Sequence, residues 1–201
     1  MWWVGATSIP LKDKTGVRII AGVRKGAALA SPKGMDTRPT PDKVRGALFN
    51  IIGADIEGAY LLDLFGGSGA IGLEALSRGA SSVTIVDNAT AELVKKNAEK
   101  LKLADGLKII GKDVFSAIAK LAVRGAKFDF IFADPPWKAG LEEKIVEKAS
   151  GVLASDGLLI LEANAKTVVP ESCGEPALSL VRVKKYGDAA LNFYEFAQKV
   201  K

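Results

Sequence analysis

Short runs of hydrophobic residues alternate with longer amphipathic stretches along most of this chain. From Tyr60 onward, five runs of four to six residues predict strands. Because strands that alternate with helices pair in parallel through right-handed crossovers, this pattern predicts a doubly wound α/β sheet. The predicted strands are 60–64, 82–86, 107–110, 128–133 and 158–161, and the predicted helices are 69–77, 90–103, 114–123 and 141–149.

The C-terminal end departs from this alternation. Residues 177–185 and 191–198 flank the turn-forming Tyr186-Gly187-Asp188 without an intervening helix, which predicts a β-hairpin. A hairpin at that place adds antiparallel strands to one edge of the sheet. The pattern therefore predicts a mostly parallel, seven-stranded sheet with an antiparallel C-terminal hairpin.

The N-terminal end has a different composition and a different predicted structure. Residues 17–22 and 27–30 predict a small β-hairpin around a glycine-containing turn. Asp42 follows a proline-containing segment and predicts the start of a helix whose apolar face continues to Ile52. We expect this helix to cover part of the sheet.

Length and residue usage restrict the possible chemistry. With 201 residues, of which 48% are hydrophobic, the chain is long enough for one full-sized domain. No hydrophobic run approaches the roughly 18 residues of a membrane span, and a cytoplasmic protein is expected. Cys173 is the single cysteine and histidine is absent, which excludes an internal disulfide and a multi-cysteine metal site. Catalysis must therefore rest on carboxylates, backbone groups, aromatic rings and a cofactor.

The positive charge is concentrated at the start of the chain. Of the net charge of +5, residues 1–46 carry +6, from nine basic and three acidic residues, and the remainder carries −1. We therefore divide the sequence into a basic N-terminal extension, 1–46, and a main domain, 47–201. A basic segment of this kind is typical of polyanion binding, and it is equally typical of a solvated arm.

The tetrapeptide Asp134-Pro135-Pro136-Trp137 directly follows the apolar run 128–133. The prolines end the strand, so a carboxylate, a proline carbonyl and an aromatic ring are fixed at its carboxyl end, where open α/β sheets bind ligands. Two acceptors beside a stacking ring suit a planar base that carries an exocyclic amine. The alternative interpretation is a strand-terminating turn with a buried Trp.

A second group of candidate residues follows the first three predicted strands. The glycine-containing loop Asp63–Gly69 precedes a helix, whose free N–H groups and positive dipole favour an anionic or zwitterionic ligand. Asp87 ends the second strand and is placed to accept the hydroxyls of a ribose. Asp113 follows the third strand and could accept a hydrogen bond from an adenine amine. Together they indicate a cofactor that contains a nucleoside, although each aspartate could instead be a cap or turn residue.

The same loop contains a G-x-G-x-x-G pattern at Gly67, Gly69 and Gly72, so a nicotinamide dinucleotide is an alternative cofactor. Two observations disfavour it. Asp63 would repel a pyrophosphate but could accept a hydrogen bond from an ammonium group, and no His, Tyr or Lys constellation indicates hydride transfer.

With these residues in place, the chain resembles class I S-adenosylmethionine-dependent methyltransferases, and within them the RsmD-like 16S ribosomal RNA guanine-N2 methyltransferases. Three positions depart from that family: Gly66 replaces the usual alanine, Trp137 replaces Phe or Tyr, and the start before Arg18 is longer. The glycine loop is shared by the whole superfamily, so the Arg-Pro-Thr segment and the first hairpin carry most of the specificity. The matching segments are 18–22, 38–40, 42–45, 48–50, 63–69, 73–80, 134–137 and 186–188.

The resemblance implies a Rossmann-like fold, S-adenosyl-L-methionine as the cofactor and a role for each matching residue. Asp63, Gly67 and Gly69, in one loop with Phe65, would hold the methionine part. Asp87 would bind the ribose and Asp113 the adenine. The catalytic group would be Asp134, Pro135, Pro136 and Trp137, with the prolines shaping the base pocket and Trp137 stacking on the base.

The resemblance also implies ribosomal RNA as the partner, within a small-subunit particle, and the chain is expected to be a monomer. An adenine-N6 methyltransferase acting on DNA or RNA remains an alternative, because the tetrapeptide suits both amines. A non-catalytic RNA-binding assembly factor is a second alternative. Cytosine-C5 methylation is disfavoured because Cys173 lies far from any matching motif. The predicted RNA contacts are Arg18, Arg24, Lys25, Arg38, Lys43 and Arg45.

Overall fold

The described part of the chain, residues 16–31 and 42–197 of a computed structural model, forms one mixed eight-stranded sheet with helices on both faces. The strands are β1 Tyr60–Leu64, β2 Ser82–Val86, β3 Leu107–Ile110, β4 Phe128–Ala133, β5 Leu153–Asn164, β6 Ser172–Cys173, β7 Leu178–Tyr186 and β8 Ala189–Phe196. The helices are α1 Asp42–Ile52, α2 Ala70–Ser77, α3 Ala91–Leu101, α4 Val114–Val123 and α5 Glu142–Ala149.

The strand order is β3-β2-β1-β4-β5-β8-β7-β6. The first five of these strands pair in parallel, and β8 pairs with β5 in the antiparallel direction. The predicted Rossmann-like, mostly parallel sheet with an antiparallel C-terminal hairpin is therefore confirmed. Within the described segments, no helix combines the length and the apolar character needed to cross a membrane.

Two details of the sheet differ from the prediction. The sheet contains an eighth strand, β6, whose two residues pair with the start of β7 and are too few to produce a recognisable pattern. Strand β5 begins at Leu153, five residues before the predicted start at Leu158, and continues to Asn164. Its first part is interrupted by a register shift and by the polar Ser155-Asp156-Gly157, which hid it from a search for hydrophobic runs.

The central parallel strands β1, β2 and β4 are buried on both faces because helices cover both faces of the sheet. On β1, Leu61 belongs to the core beneath α1, α2 and α3, whereas Leu62 belongs to the core beneath α4 and α5. The alternation of the strand thus supplies two separate hydrophobic clusters from one run of residues.

The N-terminal segment 16–31 packs on the main domain. The predicted hairpin is reduced to one antiparallel bridge between Arg18 and Ala28, with a 3-10 turn at Gly22–Arg24. Val17, Ile19 and Leu29 are buried in the same core as α1 and α2. The domain division after residue 46 stays a prediction, and that boundary lies inside α1.

Glu74 of α2 holds this segment in place. Its carboxylate is fully buried and accepts hydrogen bonds from the backbone N–H of Ile20, at 2.6 Å, and of Ala21, at 2.9 Å. Arg78 donates from Nε to the same carboxylate at 2.8 Å, and Arg45 Nε lies 3.9 Å from it. A buried carboxylate is tolerated here because donors surround it.

Arg45 was predicted to contact RNA, and the structure contradicts this. Only 1% of Arg45 is exposed, and its guanidinium donates to Asp42 Oδ1 at 3.0 Å and to the carbonyl of Arg18. The position follows from helix geometry: Arg45 lies one residue from Val44 and three from Leu48, on the buried face of α1. Its charge therefore holds the N-terminal segment against the domain.

Replacing Glu74 by Ala should destabilise the protein by about 3–5 kcal/mol, because Arg45 and Arg78 would lose a buried partner. The amides of Ile20 and Ala21 should exchange hydrogen faster than in the unmodified protein, since both lose their acceptor. Denaturant unfolding and hydrogen exchange measure the two effects. Glu99→Ala, at an exposed position of α3, is the control and should change neither. Unaltered exchange at residues 20 and 21 in Glu74→Ala would contradict the assignment.

Candidate functional site

The candidate site lies where the carboxyl ends of β1 and β4 meet. These strands are neighbours in space, but the chain leaves β1 toward β2 on one side and later returns as β4 on the other. Such a switch point leaves a crevice above the strand ends, which is where open α/β sheets bind ligands. The backbone N–H of Asp134 donates to the carbonyl of Leu64, the last residue of β1, at 3.4 Å, so the loop after β4 begins beside the end of β1.

The loop after β1 has an unusual backbone. Phe65 has φ 63° although it is not glycine, and Gly67 has φ 54°. Strain of this kind at a non-glycine residue is typical of functional sites. A Cβ atom placed on Gly67 would meet no atom within 4 Å, so this side of the loop is open and a ligand can approach the backbone.

Gly66, where the family usually has alanine, faces inward. A Cβ atom at this position would lie 2.3 Å from Cγ2 of Ile85 on β2. Real Cβ atoms do not approach a neighbour that closely, so Ile85 and an alanine at 66 cannot both fit without movement. The departure from the family pattern therefore has a local packing reason.

Asp87 follows β2 and holds the glycine loop. Its carboxylate accepts hydrogen bonds from the backbone N–H groups of Gly67 at 3.0 Å, Ala89 at 2.8 Å and Thr90 at 2.9 Å. Three donors fix the direction of the side chain, which is half-buried. Its predicted ribose contact stays a prediction, and the carboxylate lies beside the open glycine as that role requires.

Asp63 is the acid of the site whose pKa is shifted most. It is 1% exposed, and its Oδ2 accepts a hydrogen bond from the N–H of Gly72 at 3.0 Å. Burial, with smaller contributions from the charges of Asp134 and Asp87, raises the pKa of Asp63 from its usual value to about 7, although the Gly72 bond opposes the shift. A buried carboxylate near two others favours a cationic ligand group.

Asp113 caps α4. Its Oδ1 accepts a hydrogen bond from the N–H of Ser116 at 2.9 Å, and this bond lowers the pKa of the exposed carboxyl. Because β1, β2 and β3 are successive neighbours about 4.8 Å apart, Asp63, Asp87 and Asp113 lie in order along one edge of the sheet. Among the described residues, no group of His, Cys, Asp and Glu could hold a metal ion.

The tetrapeptide after β4 turns sharply at the same edge. Pro135 is buried and Pro136 is exposed, and the Pro136 carbonyl accepts a hydrogen bond from the N–H of Ala139 at 3.2 Å. Lys138 has φ 72°, a second strained position. Trp137 is 37% exposed, so the alternative interpretation of a buried, strand-terminating Trp is wrong. Part of its ring surface is accessible to a ligand.

Asn97 of α3 was not predicted as part of the site. Its buried Nδ2 donates to the carbonyl of Ser68 at 2.9 Å and to that of Ala30 at 3.0 Å, and its Oδ1 accepts from the N–H of Ala30. It thus joins the glycine loop to the N-terminal segment. The sequence contains one signal for this role. Asn97 lies between Val94 and Leu101, and helical spacing places its amide with them on the buried face of α3.

The family described as conserved hypothetical protein 95 matches residues 17–195. Ribosomal RNA small subunit methyltransferase D of Escherichia coli K12 is 36% identical to this chain over 184 residues, 89% of each protein. The chain belongs to the RsmD family of class I S-adenosylmethionine-dependent methyltransferases. The Haemophilus influenzae protein of the same name is 37% identical over 136 residues, 66% of this chain and 70% of that one.

Solved structures share the fold of this chain. A hypothetical protein of Thermus thermophilus superimposes with a TM-score of 0.76 at 29% identity, covering 89% of this chain and 99% of that one. An RNA methyltransferase of Salinibacter ruber, solved with S-adenosyl-L-homocysteine, has a TM-score of 0.61 at 16% identity, covering 82% of this chain and 97% of that one. The second similarity shows the Rossmann-like fold alone.

Replacing Asp63 by Asn should change how stability depends on pH. Because the folded pKa lies above the unfolded value near 3.8, ionising Asp63 destabilises the fold progressively between about pH 4 and pH 7, and the full penalty is present above pH 7. Asn can keep the Gly72 bond without the charge. Unfolding free energies at pH 5 and pH 8 should therefore differ less in Asp63→Asn than in the unmodified protein. The control is Asp129→Asn, whose carboxylate also accepts a backbone N–H but is more exposed. An unaltered pH dependence in Asp63→Asn would contradict the shift.

Proposed function

We propose that this protein transfers a methyl group from S-adenosyl-L-methionine to the exocyclic N2 amine of a guanine in 16S ribosomal RNA. The observation that carries the proposal is the adjacency at the switch point, where Asp134 begins the loop after β4 beside the end of β1, which carries Asp63 and leads into Gly67. A cofactor edge and a base-binding edge are thereby adjacent.

The cofactor residues are assigned by chemistry and by the family resemblance. Asp63 suits the ammonium group of the methionine part, because a cation would stabilise its buried carboxylate, and Gly67 and Gly69 let that part approach the loop. Asp87 would accept the ribose hydroxyls, and Asp113 the adenine amine. When bound, this cofactor supplies an electrophilic methyl group on a sulfonium centre.

Asp134 and the carbonyl of Pro135 would accept hydrogen bonds from the two N–H groups of the target amine. This orientation directs the nitrogen lone pair toward the cofactor edge of the site. Transfer would exchange the methyl–sulfur bond for a methyl–nitrogen bond, with the electron pair left on sulfur, and Asp134 or water would take the proton that the amine then loses. Positioning supplies most of the acceleration, so no strong base is required.

Trp137 would stack on the flat face of the base. A base inside a helix or loop must leave its stack before its amine can reach the pocket, and an accessible aromatic ring compensates for part of that loss. Stacking does not distinguish guanine from adenine. Guanine is preferred because the resemblance implies it, and adenine-N6 methylation remains the alternative product.

The basic N-terminal extension would bind phosphates, as predicted, but with fewer residues. Lys25 and Lys43 are exposed, as is Arg18, which also pairs with Asp42 at 3.2 Å. Arg24 is partly engaged, because its guanidinium donates to carbonyls at the end of α3. Arg45 is excluded by burial, and Arg38 lies outside the described residues.

Replacing Asp134 by Ala should reduce methyl transfer by on the order of a hundredfold to a thousandfold, since the amine loses a charged acceptor in the transition state. The affinity for S-adenosyl-L-homocysteine should change little, because the cofactor residues are untouched. Labelled methyl transfer to 16S ribosomal RNA and calorimetry measure the two effects. Asp134→Asn, which keeps one oxygen acceptor, should lose less, and Asp156→Ala, an exposed carboxylate on β5, serves as the control. Full turnover by Asp134→Ala would refute the catalytic assignment.

A further inference from the structure

A groove between β3 and α4 is lined by basic residues at the outer edge of the sheet. It has a volume of about 200 Å³ and is separate from the crevice between β1 and β4. Four of its seven lining residues are basic and none is acidic. We call this surface the basic groove, and its lining residues are Lys108, Ile110, Lys112, Ala117, Lys120, Leu121 and Arg124.

The periodicities of the two elements explain how these residues meet. Lys108 and Ile110 are alternate residues of β3, so their side chains emerge on one face, and Lys112 follows in the bend after the strand, where its N–H donates to the Ile110 carbonyl at 3.0 Å. Positions 117, 120, 121 and 124 follow the spacing of a single helix face on and just after α4. The small and apolar members form the floor, and the cationic ends form the rim. In the sequence, neither β3 nor α4 shows an unusual concentration of basic residues, because the cluster forms only when the fold brings the two elements together.

The cations of the basic groove repel one another. The ammonium groups of Lys112 and Lys120 are close together, and the proximity and charge of Lys112, with smaller contributions from burial and from the charge of Arg124, lower the pKa of Lys120. Asp113 is adjacent in sequence, but its carboxylate accepts the backbone N–H of Ser116 at the start of α4. A repulsive cluster of this kind reduces stability unless an anion binds to it.

Protection of the sheet edge does not account for the cluster. β3 is an edge strand, and lysine on an edge strand prevents pairing with another chain, which would explain Lys108. It does not explain Lys120 and Arg124, which belong to the helical side of the groove. Residues 47–201 have little net charge of their own, so four cations without an acid are a local exception to the composition of the domain.

We infer that the basic groove binds phosphates of the RNA substrate at a distance from the methylated base. This inference rests on the proposed RNA methylation. Lys112 is adjacent to Asp113, at the sheet edge that carries the cofactor residues, so RNA above the strand ends can reach this end of the groove. The cations come from both sides of the groove, Lys108 and Lys112 from β3 and the bend after it and Lys120 and Arg124 from α4 and its end, and a spread charge of this kind fits the backbone of a nucleic-acid chain.

The test is the binding of labelled 16S ribosomal RNA by Lys112→Gln/Lys120→Gln, measured by fluorescence anisotropy at several salt concentrations. The dissociation constant should rise by roughly tenfold at low salt, and the slope of log affinity against log salt should fall by about 2, because two phosphate contacts are lost. The melting temperature without RNA should not fall, since the substitutions relieve repulsion.

Two further double variants separate the groove from general charge effects. Lys95→Gln/Lys96→Gln removes the same charge from an exposed part of α3 that also carries Glu92 and Glu99, and it should bind RNA as the unmodified protein does. Lys25→Gln/Lys43→Gln tests the N-terminal contacts separately and should also weaken binding. An equal loss in the α3 variant would overturn the assignment of the groove.

Methyl transfer by the unmodified protein distinguishes failure of this inference from failure of the proposed function. If the unmodified protein methylates RNA and the groove variant has unaltered affinity and salt dependence, the groove assignment is wrong. If no RNA is methylated but the groove variant still loses affinity and salt dependence, the groove binds RNA and the proposed reaction is wrong. Loss of affinity in a protein that does methylate RNA supports both.

Discussion

The parallel pairing of β1 with β4 is the constraint on which the candidate site depends. The chain leaves β1 toward β2 and returns as β4 on the opposite side, so two loops distant in sequence meet above adjacent strand ends. The end of β1 and the loop after it carry the buried carboxylate of Asp63 and the open glycine at 67, and the loop after β4 carries Asp134 and an accessible Trp137. The residues proposed for the cofactor and those proposed for the base are therefore adjacent because of this pairing.

Much of this arrangement could be predicted because it depends on local patterns. Buried parallel strands are continuous hydrophobic runs, so four of the five were found at their observed bounds, and the aspartates that follow them lie at one edge by topology. The features that were missed depend on contacts between distant segments. Arginine is usually a surface residue, but the position of Arg45 along α1 places it on the buried face of the helix. Asn97 joins Ser68 to Ala30 only after folding. The two residues of β6 carry no pattern.

The N-terminal segment combines structural and proposed binding roles. Its backbone is held by Glu74 on one side and by Asn97 on the other, and Asn97 also contacts the glycine loop. Lys25 therefore extends from a segment that is anchored beside the glycine loop, and the exposed Lys43 lies on α1, which packs on the same core. Together with the basic groove, these lysines would form an RNA surface assembled from distant parts of the chain, although residues 1–46 carry a net charge of +6 and the remainder −1.

The central claim is that the two adjacent loops direct a guanine amine at a cofactor methyl group. The most direct measurement is transfer of labelled methyl from S-adenosyl-L-methionine to unmodified 16S ribosomal RNA and to assembled small subunits, followed by nucleoside analysis of the product. The account predicts N2-methylguanosine from a ribosomal substrate. N6-methyladenosine as the product, or no transfer by a protein that binds the cofactor, would contradict it.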